Sequence, residues 1–250
     1  MILYTNGCSW TWGGALEPWF ETRPQFHDND LRLSLVWPHH LGKLLEADKV
    51  VNLSEGCGSN QRILRTTLDW LLRTPKSDLE QTVAVIQFTE LTRFELYEVF
   101  DESNPYKNID TNWISCKVDH IQGRFPMGNA RFHQNPKYNR LKERVNERIA
   151  DTSELELMYV TLSYVHAIHD MFRMHGVKDV YIWHHGNHWG KFWPEQYKSY
   201  LYSNFKVLQQ DTIWDYDRMY GIRHEHPSVE GHKELAKLLF DDMISKGYVR

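Results

Sequence analysis

Residues Thr82 to Phe88 read Thr-Val-Ala-Val-Ile-Gln-Phe, an almost unbroken β-branched and apolar run. A run of that kind fits a strand buried on both faces, and such strands belong to parallel sheets covered by helices on either side. Ile2 to Thr5, Lys49 to Leu53 and Lys178 to His184 read as further strands, and Asp211 to Tyr216 as a fifth, short one. Apolar residues recur at helical spacing between them. A helix opens at Trp37-Pro38 and runs to about Ala47, with Leu41, Leu44 and Leu45 on one face. Another ends near Arg73 and carries Ile63, Leu64, Leu68, Leu71 and Leu72, with Ser59 or Asn60 as its cap. A long one spans about Glu156 to His175, with Leu162, Val165, Ile168 and Phe172 as its stripe and Gly176 past its end. A shorter helix falls near Pro194–Phe205, and a terminal one, capped by Ser228, turns Leu235, Leu238, Leu239 and Met243 inward. This alternation predicts one α/β domain over residues 1–250, a three-layer α/β/α sandwich around a mostly parallel central sheet.

Two stretches interrupt the alternation. Residues 15–36 read as a loop with acidic and aromatic content. Residues 97–155 form a long insertion rich in Asn, Asp, Pro and aromatics, with a charged helix expected near Asn139–Ile149. A lid or binding loop and an oligomer contact are the two readings of so long an insertion.

The chemistry concentrates where strands end. The first strand runs straight into a turn at Asn6-Gly7, with Ser9 just beyond it. The first strand of an α/β sheet delivers its following residues to the carboxyl edge, where ligands bind. A hydroxyl there is placed for nucleophilic attack if a histidine reaches it. The segment His224-Glu225-His226-Pro227-Ser228-Val229-Glu230-Gly231-His232 supplies one. Proline fixes the backbone after the His226 imidazole, and the Ser228 cap fixes the helix start.

These residues, in this order, resemble the SGNH (GDSL-type) hydrolases, and the resemblance covers nearly the whole chain. Gly7-Cys8-Ser9-Trp10-Thr11 resembles the family's Gly-Asp-Ser turn, in a Gly-Cys-Ser form similar to that of divergent, often bacteriophage-encoded members. Asn52 to Asn60 resembles the second block, Thr89-Glu90-Leu91 stands at the third, and His226-Pro227-Ser228 with Gly231-His232 resembles the last. The resemblance implies the SGNH/flavodoxin-like sandwich and a serine esterase. Ser9 is then the nucleophile and His226 the general base. Ser9, Gly58, Asn60 and Thr89 are the oxyanion-hole candidates, and Trp10, His185 and His188 the substrate-binding candidates. The implied substrate is a small-molecule or glycan ester, with O-acetyl groups on carbohydrate as the specific guess. No cofactor is implied.

The chain departs from the family pattern at three places. Cys8 replaces the usual Asp. The third block has no Asn. Arg223 stands three residues before His226, where the family has Asp, and a guanidinium cannot accept an imidazole N–H. Asp215, Asp217, Glu225 or a backbone carbonyl could orient the ring instead; the expectation is a carbonyl-oriented dyad. Cys57 lies between Gly56 and Gly58, so the second-block glycine could be either, or its place could be taken by the cysteine.

Other classes fit less well. His184, His185 and His188 offer a metal-dependent hydrolase as an alternative, and a non-catalytic glycan-binding or virion protein on the same fold is another. The chain carries 33 acidic against 29 basic residues, a net charge of −4, with no basic block for nucleic acid. No apolar run approaches a membrane span, and a strand beginning at residue 2 leaves no room for a signal peptide, so synthesis in the cytoplasm is expected. Three cysteines suggest no disulfide framework. The 10 Trp, 13 Tyr and 11 Phe would serve either sugar stacking or packing. A homo-oligomer or a virion assembly is compatible with this composition.

Overall fold

The computed structural model describes residues 1–14, 16, 29–56, 58–97, 113–117, 144, 147, 152–184, 194–208 and 226–248. Among the described residues, five parallel strands form the central sheet: β1 (Ile2–Asn6), β2 (Lys49–Asn52), β3 (Thr82–Phe88), β6 (Asp179–His184) and β7 (Lys206–Val207). Their order is β2-β1-β3-β6-β7. Counted within the sheet alone, this is the 2-1-3-4-5 order of doubly wound folds, whose direction of winding reverses between β1 and β3. The loops after β1 and β3 therefore diverge at the carboxyl edge and leave a crevice there.

The interior position of β3 explains its sequence. It pairs with β1 through Asn6↔Ile86 and with β6 through Phe88↔His184, and all seven residues are buried. Alternation along the strands then divides the core. Tyr4, Ala84, Ile86, Phe88, Val180 and Ile182 face α4 (Asn60–Arg73) and α6 (Glu154–Met174), where Ile63, Leu71, Val165 and Phe172 meet them. Leu3, Val83, Val85, Tyr181 and Trp183 face α3 (Trp37–Leu44) and α8 (Val229–Ser245), where Trp37, Leu41, Leu235 and Leu239 meet them. The sheet is thus the middle layer of a three-layer α/β/α sandwich, as the sequence predicts.

The remaining elements are short or peripheral. They are α1 (Ser9–Trp12), α2 (Asn29–Leu35), α5 (Lys76–Leu79) and α7 (Glu195–Asn204). A separate antiparallel hairpin joins β4 (Arg93–Tyr97) to β5 (Trp113–Lys117).

Differences from the sequence reading sit at weakly patterned places. The expected loop at 15–36 contains α2. The fifth strand of the sheet is the two-residue β7, too short to show a period; the strand expected at 211–216 lies outside the described residues. The insertion expected from residue 97 follows a hairpin strand that starts at Arg93, and within it β5 is a strand. Of the charged helix expected at 139–149, Arg144 and Glu147 are helical and the rest lies outside the described residues. Caps match the sequence: Ser59 Oγ accepts from Arg62 N–H and Ser228 Oγ from Gly231 N–H, each at 3.1 Å. Among the described residues, no helix is long and apolar enough to cross a membrane.

Candidate active site

The turn after β1 is built from the inside out. Asn6 is fully buried, and its Oδ1 accepts the Gly7 N–H at 2.9 Å. Its Nδ2 donates to Thr66 Oγ1 at 2.8 Å, and to Tyr4 Oη and Thr67 Oγ1 at 3.2 Å. Burial pushes the Tyr4 phenol up, so it stays a neutral partner. One side-chain amide thus ties the strand end to α4.

The chain then makes one helical turn, α1. Thr11 and Trp12 N–H donate to the Cys8 carbonyl, and Gly13 and Gly14 N–H donate to the Ser9 carbonyl at 2.9 and 2.7 Å. Gly13 closes the turn at φ 89°, a left-handed conformation that a side chain resists. Ser9 is the first residue of this turn, so its own N–H has no acceptor within the helix. Three side chains fix α1 from outside. Arg32 donates to the Trp12 carbonyl and lies over the Trp12 ring. Asn52, at the end of β2, donates to the Thr11 carbonyl at 3.1 Å. Thr11 Oγ1 donates to Gln87 Oε1 on β3.

On this turn, Ser9 Oγ lies 2.8 Å from Nε2 of His226, a residue 217 positions away. The imidazole comes from the segment before α8, whose start is held by the Ser228 cap. Ser9 is 8% exposed, and His226 is half-buried. The distance is within the hydrogen-bond reach that a nucleophile and its base require.

The other candidates fall into three groups. Gly58 abuts the Ser9 turn, and both it and Asn60 have partners of their own. A Cβ built on Gly58 would lie 2.9 Å from the Gly7 carbonyl oxygen, so the second block abuts the Ser9 turn. The Gly58 N–H donates to the Glu55 carbonyl at 3.0 Å. The Asn60 amide closes on Thr89: Oδ1 accepts Thr89 N–H at 2.8 Å and Nδ2 donates to the Thr89 carbonyl at 3.2 Å. Thr89 itself is buried, and its Oγ1 has no hydrogen-bond partner among the described residues. It directly follows β3 and is fully buried. Of the four oxyanion candidates, Ser9 and Asn60 each stand at the first position of a helix, and Ser9 is the one that also carries the hydroxyl facing His226.

Trp10 belongs to the second group, the core. It is 6% exposed and belongs to the core cluster that contains Trp37, Trp183 and Leu235. The apolar bulk of an indole at that position outweighs its polar edge. The third group, Asp215, Asp217, Glu225, His185 and His188, lies outside the described residues. His184 ends β6, buried. No group of three or more metal-ligating side chains occurs among the described residues.

Three supporting residues escaped the sequence reading: the hub Asn6, the clamp Arg32, and Gly14. A Cβ on Gly14 would lie 2.8 Å from His226 Cδ2. Asn6 had a legible signal, an amide just inside a strand end, where it can replace a lost ladder partner. Arg32 had none, because cation–π contacts leave no spacing pattern.

A family described as "Family of unknown function (DUF6071)" matches residues 20–121. No curated protein matches the chain. Two solved structures are similar in shape. TesA matches with a TM-score of 0.49 at 12% identity, covering 97% of this chain and 98% of that one. A member of the lipolytic protein G-D-S-L family from Veillonella parvula DSM 2008 matches with a TM-score of 0.48 at 14% identity, covering 98% of this chain and 97% of that one.

Proposed function

We propose that the protein is a serine hydrolase of the SGNH type that cleaves small acyl esters, with Ser9 as nucleophile and His226 as general base. The 2.8 Å contact between Ser9 Oγ and His226 Nε2 carries this reading. In the first step Nε2 takes the Oγ proton while Oγ attacks the ester carbonyl carbon. The alkoxide leaving group receives that proton from the imidazolium, which leaves an acyl-Ser9. A water molecule, deprotonated by the same nitrogen, then releases the acid and restores the serine. In this reading the Ser9 N–H at the start of α1 is the oxyanion donor, with Thr89, at the end of β3, as the second candidate. An O-acetylated carbohydrate remains the specific substrate proposed. Its support is the family resemblance, since Trp10, Trp37 and Trp183 belong to the core rather than to an open platform.

A fluorophosphonate probe tests the reading. Ser9 is expected to carry the label, Ser9→Ala to take none, and His226→Ala to label roughly 10²-fold more slowly or worse. Folded wild-type protein that remains unlabelled, and inert toward acetyl esters, would overturn it.

A further inference from the structure

We infer that Gly14 is a positioning residue for the Ser9–His226 pair: the lack of a side chain there is what allows the imidazole to stand over the hydroxyl. The inference rests on the serine hydrolase reading for its consequence, but its geometry is independent of it. A Cβ added to Gly14 would lie 2.8 Å from His226 Cδ2, 2.9 Å from His226 Nε2 and 3.2 Å from Ser9 Cβ. The first two are closer than packed carbon and nitrogen atoms tolerate. All three neighbours belong to the proposed reacting pair.

Neither the glycine nor the serine can back away without cost. The Gly14 N–H donates to the Ser9 carbonyl at 2.7 Å, beside the Gly13 N–H at 2.9 Å, so position 14 is fixed relative to the nucleophile's own backbone. The Asn6, Arg32 and Asn52 bonds hold that backbone from three other directions. The imidazole hangs on two rotatable bonds and is the softer partner. A methyl group at position 14 therefore turns the ring away from Ser9 and leaves the fold standing. Gly13 has the opposite character. Its Cβ would strike Val36 Cγ1 at 2.5 Å, and its φ is +89°, so alanine there strains the turn itself, and none of the three atoms nearest that Cβ belongs to the pair.

The test compares Gly14→Ala, His226→Ala, the double variant, Ser9→Ala and Gly13→Ala. The readouts are fluorophosphonate labelling, thermal melting and the His226 Nε2 resonance in imidazole-selective NMR. Gly14→Ala is expected to melt cooperatively and to label roughly 10²-fold more slowly than wild type. Its Nε2 resonance should shift as in Ser9→Ala, because both lose the bond to Oγ. The double variant should label no more slowly than His226→Ala. Gly13→Ala should melt earlier yet keep the Nε2 resonance of its folded fraction. An unshifted Nε2 resonance in Gly14→Ala overturns the inference. So does a double variant slower than His226→Ala, since the effect would then run through the fold. If Gly14→Ala does not fold, the double variant should, because the obstructing ring is gone; failure of both also overturns it. An unlabelled wild type would remove the hydrolase reading and leave the resonance to decide the role of Gly14.

Discussion

The backbone N–H of Trp37 donates to Nδ1 of His232 at 3.1 Å, joining the first residue of α3 to α8. Helix starts leave N–H groups without intrahelical acceptors, and here a side chain 195 residues away supplies one. Because Nδ1 accepts, the neutral ring carries its proton on Nε2. His232 is fully buried. Burial, with the nearby His40 and His226 rings, holds its pKa down to about 3.

Acid should therefore weaken the fold through His232. The unfolded ring binds a proton near 6.5, the folded one near 3, so the neutral form's contribution is complete above pH 6.5. It is lost as pH falls between those values, by about 1.4 kcal/mol per pH unit. Denaturant unfolding between pH 7.5 and pH 4 should show this slope in wild type and a shallower one in His232→Gln. Parallel curves would mean that His232 is not the responsible group.

Asn6 should prove costly to remove. Asn6→Ala would leave the buried Gly7 N–H without its acceptor and would strip a donor from Thr66 Oγ1. A loss of about 2–3 kcal/mol is expected, read by urea unfolding. Fluorophosphonate labelling should slow as well, since the same bond sets the direction in which the chain leaves β1. A variant as stable as wild type would show that the hub is replaceable.

The hairpin of β4 and β5 is tied to α4 by an ion pair of unequal burial. Arg65 Nε and Nη2 donate to the two Glu95 oxygens at 3.0 and 2.9 Å, and the side chains are 24% and 1% exposed. Arg65→Ala strands a buried carboxylate and should cost about 3–5 kcal/mol. Glu95→Ala leaves a guanidinium that can turn toward water, so its cost should be clearly smaller. Equal losses in chemical denaturation would contradict this asymmetry.

Much of this architecture is visible in the sequence because double-sided burial writes a simple code. β3 is apolar along its length since helices cover both of its faces, and α4 and α6 show their stripes for the same reason. Ser9 and His226 are legible because each follows a structural signal, a strand-end turn in one case and His-Pro with a serine cap in the other. What stays hidden depends on partners rather than residue types. β7 is two residues long and has no period to read. The bond from Gly58 N–H to the Glu55 carbonyl depends on how the loop folds back, which composition does not show. The burial of Trp10 in the core cluster of Trp37 and Trp183 leaves no spacing signal to read. Gly14 looks like a second turn glycine, and only the fold brings an imidazole from the far end of the chain against it.

The two glycines beside Cys57 should behave differently, and the difference identifies the one that shapes the site. A Cβ on Gly58 would meet two backbone oxygens, that of Gly7 at 2.9 Å and that of Glu55 at 3.1 Å, with Cys8 Cα at 3.5 Å. Backbone cannot swing aside as a side chain does. Gly58→Ala must therefore push the second block away from the Ser9 turn, at about 1–3 kcal/mol by analogy with overpacked sites. The displacement runs through Gly7 and Cys8, the residues that lead into Ser9, so labelling should slow too. At Gly56 a Cβ would meet, among the described residues, the Trp12 ring at 3.7 and 3.8 Å, an ordinary packing distance. Gly56→Ala should stay within about 0.5 kcal/mol of wild type and label at the same rate. Thermal melts and fluorophosphonate labelling of the two variants, side by side, decide the matter. A neutral Gly58→Ala, or a damaging Gly56→Ala, would assign the close approach to the other glycine.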